Sequence, residues 1–270
     1  MQTIPPSELS IGDYHAAAPR WLSKTSLRDY GEHGPAWWKL RYIDRAIPNK
    51  RPDGALQGMA LDCLLTEGLE QYMSRFIVRP EGIDLRTTAG KQWRAANEGK
   101  EILGIDDGLI IEEAAEAVTS CCEWNEIEDR GLAQHTLRWE TTLGFGLQSR
   151  PDWISRDGKT IWDLKKTHDL SRFGKQAVDL GYHLQAAIAV WCLRQQKIAV
   201  ENVYLIAVEW ERWARCNVYR VPQFAIEGGE NLLLSYATDI GNHMKSGNWT
   251  HHQDEPEDLP IPDWQARSMT

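Results

Sequence analysis

Cysteine is scarce in this chain: five among 270 residues, an odd number with no C-x-x-C spacing. That excludes a disulfide framework and a cysteine-built zinc site, and all five are expected as reduced thiols in a cytoplasmic protein. No run of 18 apolar residues exists, so no membrane span is expected. The first residues, Met-Gln-Thr-Ile-Pro-Pro, lack a basic segment followed by an apolar one, so no secretory signal is expected either. Positive charge is short: 30 Lys and Arg against 39 Asp and Glu give a net charge of -9. This argues against a surface coated for nucleic acid. It leaves room for a local basic groove, because fields focus locally and bound cations add charge of their own. No internal repeats are visible.

What the chain does have is bulk apolar material. Hydrophobic residues make up 42% and tryptophans number 13. Most of the tryptophans are expected as core or interface anchors. The length suits one large domain. We expect an N-terminal helical and loop extension over 1–54, a core over 55–249 and an extended acidic tail over 250–270. The pattern predicts loop over 1–20, then helices near 25–30, 36–43, 55–67, 88–99 and 109–124. Strands are expected at 73–80, 136–143, 147–155 and 159–165, the last three as a meander. Helices at 171–179, 181–197 and 223–246 alternate with strands at 202–209 and 216–221. This order predicts an α/β (α+β) fold with a mixed sheet flanked by helices.

The most informative stretch is Arg150-Pro151-Asp152-Trp153-Ile154, joined by Ser155–Thr160 to Ile161-Trp162-Asp163-Leu164-Lys165. Asp157-Gly158 between two β-prone runs signals a hairpin, because both residues tolerate positive φ. A two-residue loop there sets the register. Asp152 falls opposite Asp163, Arg150 opposite Lys165, Ile154 opposite Ile161 and Trp153 opposite Trp162. Side chains alternate with period two. One face is then apolar, and the other carries two carboxylates with a lysine one pleat along. Like charges directly opposite repel. Two carboxylates at one site share either a proton or a cation. A hard ion such as Mg²⁺ takes oxygen ligands, commonly one or two carboxylates. A solvated outer face is the competing reading.

Four further residues stand near this pattern. Asp62 lies in an almost wholly apolar helix, Leu56–Leu65, with Gly58 one turn before it. A buried carboxylate there needs a partner or a metal. Pairing with an arginine or capping a loop is an equal alternative. Tyr182 and Gln185 share a helix face, since they are three residues apart, and both can hold a phosphate oxygen. Packed surface is the competing reading for them. Glu140 sits on the polar face of the strand before Asp152, as a further acidic group or a solvated one.

Together these residues resemble a known family. Arg150-Pro151-Asp152 followed by Asp163-Leu164-Lys165 resembles the PD-(D/E)XK nuclease signature. Further blocks resemble the nuclease domain of exonuclease VIII, the RecE type common in phages and prophages. They are Ile11-Gly12-Asp13-Tyr14-His15, Ser23-Lys24-Thr25-Ser26-Leu27, Gly58-Met59-Ala60-Leu61-Asp62, Arg86–Lys91 and Tyr182-His183-Leu184-Gln185-Ala186-Ala187. They occur in the family's order along nearly the whole chain. Asp62 stands where the family usually has a histidine. The resemblance implies a restriction-endonuclease-like core. It implies Mg²⁺, with Mn²⁺ able to stand in, held by Asp62, Asp152 and Asp163. Lys165, Gln185 and Tyr182 would serve the reaction beside the two aspartates, with Glu140 and Arg150 in support. The implied activity degrades double-stranded DNA from 5′ ends, leaving 3′ single strands for an annealing partner, by a ring-shaped homo-oligomer. Rival readings are a nuclease fold that only grips DNA or protein, and an endonuclease or single-strand nuclease of the same superfamily.

Overall fold

The computed structural model describes residues 1–48 and 54–250. The expected acidic tail, from residue 251 on, falls outside these residues. The first half is mainly helical: α1 (Ile11–Ala16), α2 (Lys24–Tyr42), α3 (Ala55–Thr66), α4 (Leu69–Arg75), α5 (Thr88–Ala96), α6 (Ile105–Thr119) and α7 (Trp124–Arg130). The short strands β1 (Trp21–Leu22), β2 (Phe76–Val78) and β3 (Glu101–Leu103) lie among them. Next come β4 (Gly131–Ala133), β5 (Leu137–Glu140), β6 (Gly146–Ser149), β7 (Trp153–Ser155) and β8 (Thr160–Thr167). The chain then runs through α8 (Phe173–Asp179), α9 (Tyr182–Gln195), β9 (Asn202–Glu209), β10 (Cys216–Arg220) and α10 (Gln223–Ser246).

The central sheet has the order β10-β9-β8-β7-β4, and β8 runs parallel to β9 while the other pairs are antiparallel. A second sheet, β1-β6-β5, lies apart from it. Alternation along β8 sends successive side chains to two different cores. Ile161 joins Ile154, Leu184, Ile188 and Ile240 on the side of α9 and α10. Trp162 joins Trp153, Leu61, Ile111 and Ile206 on the side of α3 and α6. Helices therefore cover both faces of a mixed sheet, as the α/β (α+β) expectation has it. Trp162 is only 1% exposed, and its indole N–H donates to Glu123 Oε2 at 3.0 Å. Trp162→Ala should cost about 3–5 kcal/mol, from lost burial and the cavity left behind. Denaturant unfolding of the folded chain measures it.

The hairpin register follows the sequence for two of the four expected pairs, Trp153 with Trp162 and Ile154 with Ile161; β7 begins at Trp153, so Asp152–Asp163 and Arg150–Lys165 are not paired strand positions. The loop differs. Gly158 N–H donates to Ser155 O at 2.8 Å, and Asp157 Oδ1 accepts from Ser155 Oγ and from Lys159 N–H. Of the two central residues only Gly158 has a positive φ, 76°. The connection is a four-residue loop, Arg156–Lys159, that keeps the same register. The expected meander is not formed. Residues 147–155 split into β6 and β7 in different sheets, broken at Arg150-Pro151-Asp152. Pro151 has no N–H for a ladder, so the strand cannot run on through it. Gly31 lies within α2 and stays helical. A Cβ there would lie 2.5 Å from the Tyr236 ring, so the glycine admits α10 against α2. The break comes at Gly34, with φ 78°, just before Pro35.

Candidate functional site

The site arises where β7 stops short. β8 pairs with β7 only through Ile161 and Trp162, but with β9 along its whole length. Beyond Trp162 one edge of β8 faces a cavity. The Leu164 N–H on that edge is satisfied by a side chain, Asp152 Oδ2, at 2.6 Å. Asp163 and Lys165 lie two residues apart on one face of β8. Their ion pair is 2.5 Å long. Asp163 is only 5% exposed. A solvated outer face is therefore excluded.

Two helices complete the walls. α3 brings Asp62, with Gly58 lining the cavity one turn earlier and bordering open space, since a Cβ there would meet nothing within 4 Å. α9 begins at Tyr182, directly after Gly181 with a left-handed φ of 67°. Gln185 follows one turn on. The cavity measures about 240 Å³ and is lined by Asp62, Arg150, Asp152, Asp163, Lys165 and Gln185. Tyr182 stands just behind it, its ring centroid 4.9 Å from Lys165 Nζ.

The electrostatics follow from crowding carboxylates away from water. Burial pushes Asp62 up to about 6, with the Asp163 charge adding to it. Asp152 is held well above the ordinary carboxylate range by burial first, then by the neighbouring charges of Asp163 and Asp62. Burial alone would lower Lys165, but Asp163 and Asp152 outweigh it and hold its ammonium above the usual lysine value. Carboxylates in this state gain from any shared cation.

One sequence candidate stands elsewhere, and another lines the cavity without a free side chain. Glu140 lies on β5 in the second sheet, exposed, and pairs with Arg20. Its polar-face position is visible in the sequence, but the sheet break at Pro151 takes it away from Asp152. Arg150 lines the cavity yet spends its guanidinium on structure. Its Nε donates to Thr136 Oγ1 and its Nη2 to Leu9 O, both at 2.6 Å, and it stacks over Tyr14. It ties the N-terminal segment to the core.

Two further residues stand at the site: Lys24, from the Ser23–Leu27 block, and Gln134, which lies in none of the sequence blocks. Lys24 opens α2, and its Nζ lies 5.5 Å from the Tyr182 ring centroid. Burial, then the charges of Lys165 and Arg28, bring its ammonium down to about 8. Gln134, just past β4, donates its side-chain amide to both Asp62 and Asp152. Two larger surface clefts, of about 670 and 830 Å³, hold neither aspartate of the hairpin. Among the described residues, the acidic and histidine ligand atoms that all lie within 4.8 Å of one another belong to Asp29, Glu32 and His33 on α2. There Asp29 accepts from the Tyr42 hydroxyl and Glu32 pairs with Arg28. The carboxylates of the cavity are less tightly clustered.

Among the described residues no helix is long and apolar enough to cross a membrane. The model of one protein family, described as a PDDEXK-like domain of unknown function, matches residues 56–256. No curated protein matches the chain. Among solved structures, a candidate exonuclease from Eubacterium rectale is similar, with a TM-score of 0.63 at 13% identity over 98% of both chains. At that identity the likeness speaks to the fold alone. A phage-related exonuclease from Haemophilus somnus aligns with 71% of this chain and 99% of its own, at 13% identity and a TM-score of 0.32. That likeness is too loose to describe this fold.

Proposed function

Since this chain belongs to the family of PDDEXK-like domains of unknown function, we propose that it is a divalent-metal-dependent exodeoxyribonuclease acting on double-stranded DNA. One observation carries this reading. Asp152 and Asp163 lie beside each other in one cavity, with the Lys165 ammonium 2.5 Å from Asp163.

The donor set suits a hard cation. Asp62, Asp152 and Asp163 offer only oxygen, the ligand chemistry of Mg²⁺ and Mn²⁺. A bound ion would supply charge for the phosphate and a more acidic water. The remaining work falls to the chain. Lys165 is fixed by Asp163 and by the Tyr182 ring, so its ammonium is preorganised toward a phosphate oxygen or the attacking water. Preorganised charge of this kind is the largest contribution in such reactions. Gln185 offers an amide to phosphate or water from the facing helix. Tyr182 fixes the lysine from behind. Lys24 and Arg28 add positive charge at the start of α2, which offsets the net acidity of the chain locally.

The finer reading has attack beginning at 5′ ends and leaving 3′ single strands for an annealing protein, with the chain assembled as a ring around its substrate. A linear duplex labelled at either the 5′ or the 3′ ends, digested with Mg²⁺, tests the polarity. The 5′ label should be released as mononucleotide at once, and the 3′ label late. Early release of the 3′ label would reverse the polarity. Sizing by light scattering tests the ring, which needs at least three copies; a monomer would remove it.

A further inference from the structure

Gln134 has two unusual features. Its backbone is left-handed, with φ 54°, a conformation that a residue with a side chain adopts at some cost. Its backbone N–H donates to Asp152 O at 2.9 Å, which pins the residue beside the start of β7. From there the side chain reaches into the acidic cavity. Nε2 lies 3.0 Å from Asp62 Oδ1, 3.2 Å from Asp62 Oδ2 and 3.0 Å from Asp152 Oδ1. One amide group thus addresses two carboxylates from two different elements, α3 and the start of β7. An ion shared by these carboxylates would have to lie in much the same place.

A primary amide has a donor end and an acceptor end. Its terminal torsion is broad and roughly two-fold, so a half-turn exchanges nitrogen and oxygen without moving the backbone. Amide carbonyls are regular ligands of hard cations. We infer that Gln134 is a metal-site residue. Its Nε2 holds Asp62 and Asp152 together, and its Oε1 turns to join them when they hold a divalent ion. It adds an oxygen without adding charge. The inference rests on the metal-dependent reading of the cavity and adds a ligand to it.

A purely structural clamp needs the N–H donors, whereas a ligand needs the oxygen. Gln134→Glu removes the donors and keeps an oxygen with added negative charge. Gln134→Leu removes both. The test is Mn²⁺ binding to the full chain without DNA, monitored by calorimetry and by electron paramagnetic resonance. The wild type, Gln134→Glu, Gln134→Leu and Asp152→Asn are compared, each checked for folding by circular dichroism. We expect Gln134→Leu to weaken binding about 10-fold, Gln134→Glu to tighten it, and Asp152→Asn to lose it. If Gln134→Glu binds as weakly as Gln134→Leu, the amide is only a clamp and the inference fails. Unchanged affinity in both Gln134 variants also overturns it. If Gln134→Leu does not fold, Gln134→Glu against wild type decides alone. If Asp152→Asn binds like wild type, the metal reading of the cavity fails instead, which separates the two.

Discussion

Lys165→Ala should abolish Mg²⁺-dependent cleavage while leaving DNA binding largely intact. The loss expected is at least ~100-fold in rate, the scale seen when a preorganised charge is removed from a reacting phosphate or acyl centre. The side chain is only 12% exposed and has no freedom to be replaced by a neighbour. It is held between Asp163 and the Tyr182 ring. Lys165→Arg should not restore the rate. A planar fork cannot occupy the space of a compact ammonium between a carboxylate and an aromatic face. Initial rates on a linear duplex, with a mobility shift for binding, measure both properties. Wild-type cleavage by Lys165→Ala would remove the lysine from the chemistry.

Asp152→Asn should do two things at once: lose cleavage by a similar factor, and raise thermal stability at alkaline pH without added metal. The sign follows from linkage. An unfolded aspartate titrates near 3.9, and Asp152 in the fold titrates well above the ordinary carboxylate range. The folded state therefore holds its proton more tightly, and stability falls as pH rises through that interval. An asparagine at this position carries no charge, so the variant avoids that loss. It also keeps an oxygen for the Leu164 N–H, which donates to Asp152 at 2.6 Å. The gain should be absent near pH 3.5 and grow as pH rises, so Asp152→Asn should melt above the wild type at pH 8. Added Mg²⁺ should raise the Tm of the wild type and not of Asp152→Asn. Melting curves at both pH values, with and without Mg²⁺, are the check. A variant less stable than wild type at pH 8 would contradict the crowding of charge.

Much of this is legible in the chain because the determinants are local. Alternation and the Asp157-Gly158 turn place Trp153 opposite Trp162, and with them the register of the hairpin. The turn geometry itself is not legible, since Ser155 Oγ and the Asp157 carboxylate reorganise the loop by hydrogen bonds that spacing does not encode. Helices α9 and α10 and strands β9 and β10 follow from pattern. Helix α7 escapes the pattern because Trp124–Arg130 is charged and short, and packs mainly through Ile127. Residues 11–16 read as loop, although Ser10 caps a helix there by accepting from Asp13 N–H. The sheet break at Pro151 is readable in principle, because proline cannot extend a ladder. It moves Glu140 from the candidate site to a surface pair with Arg20. Gln134 reaches the Asp62 and Asp152 carboxylates from a backbone turn, and Lys24 reaches the Tyr182 ring from a helix start far away in sequence. Only the assembled fold brings them beside Asp152 and Tyr182.

The most direct measurement compares a linear duplex with the same sequence as a covalently closed circle, both incubated with the wild-type chain and Mg²⁺, and both repeated with EDTA. The account predicts that the linear form is consumed only when Mg²⁺ is free and that the circle stays intact. Linear DNA that survives in Mg²⁺, or disappears equally in EDTA, would contradict a carboxylate-held ion acting at DNA ends.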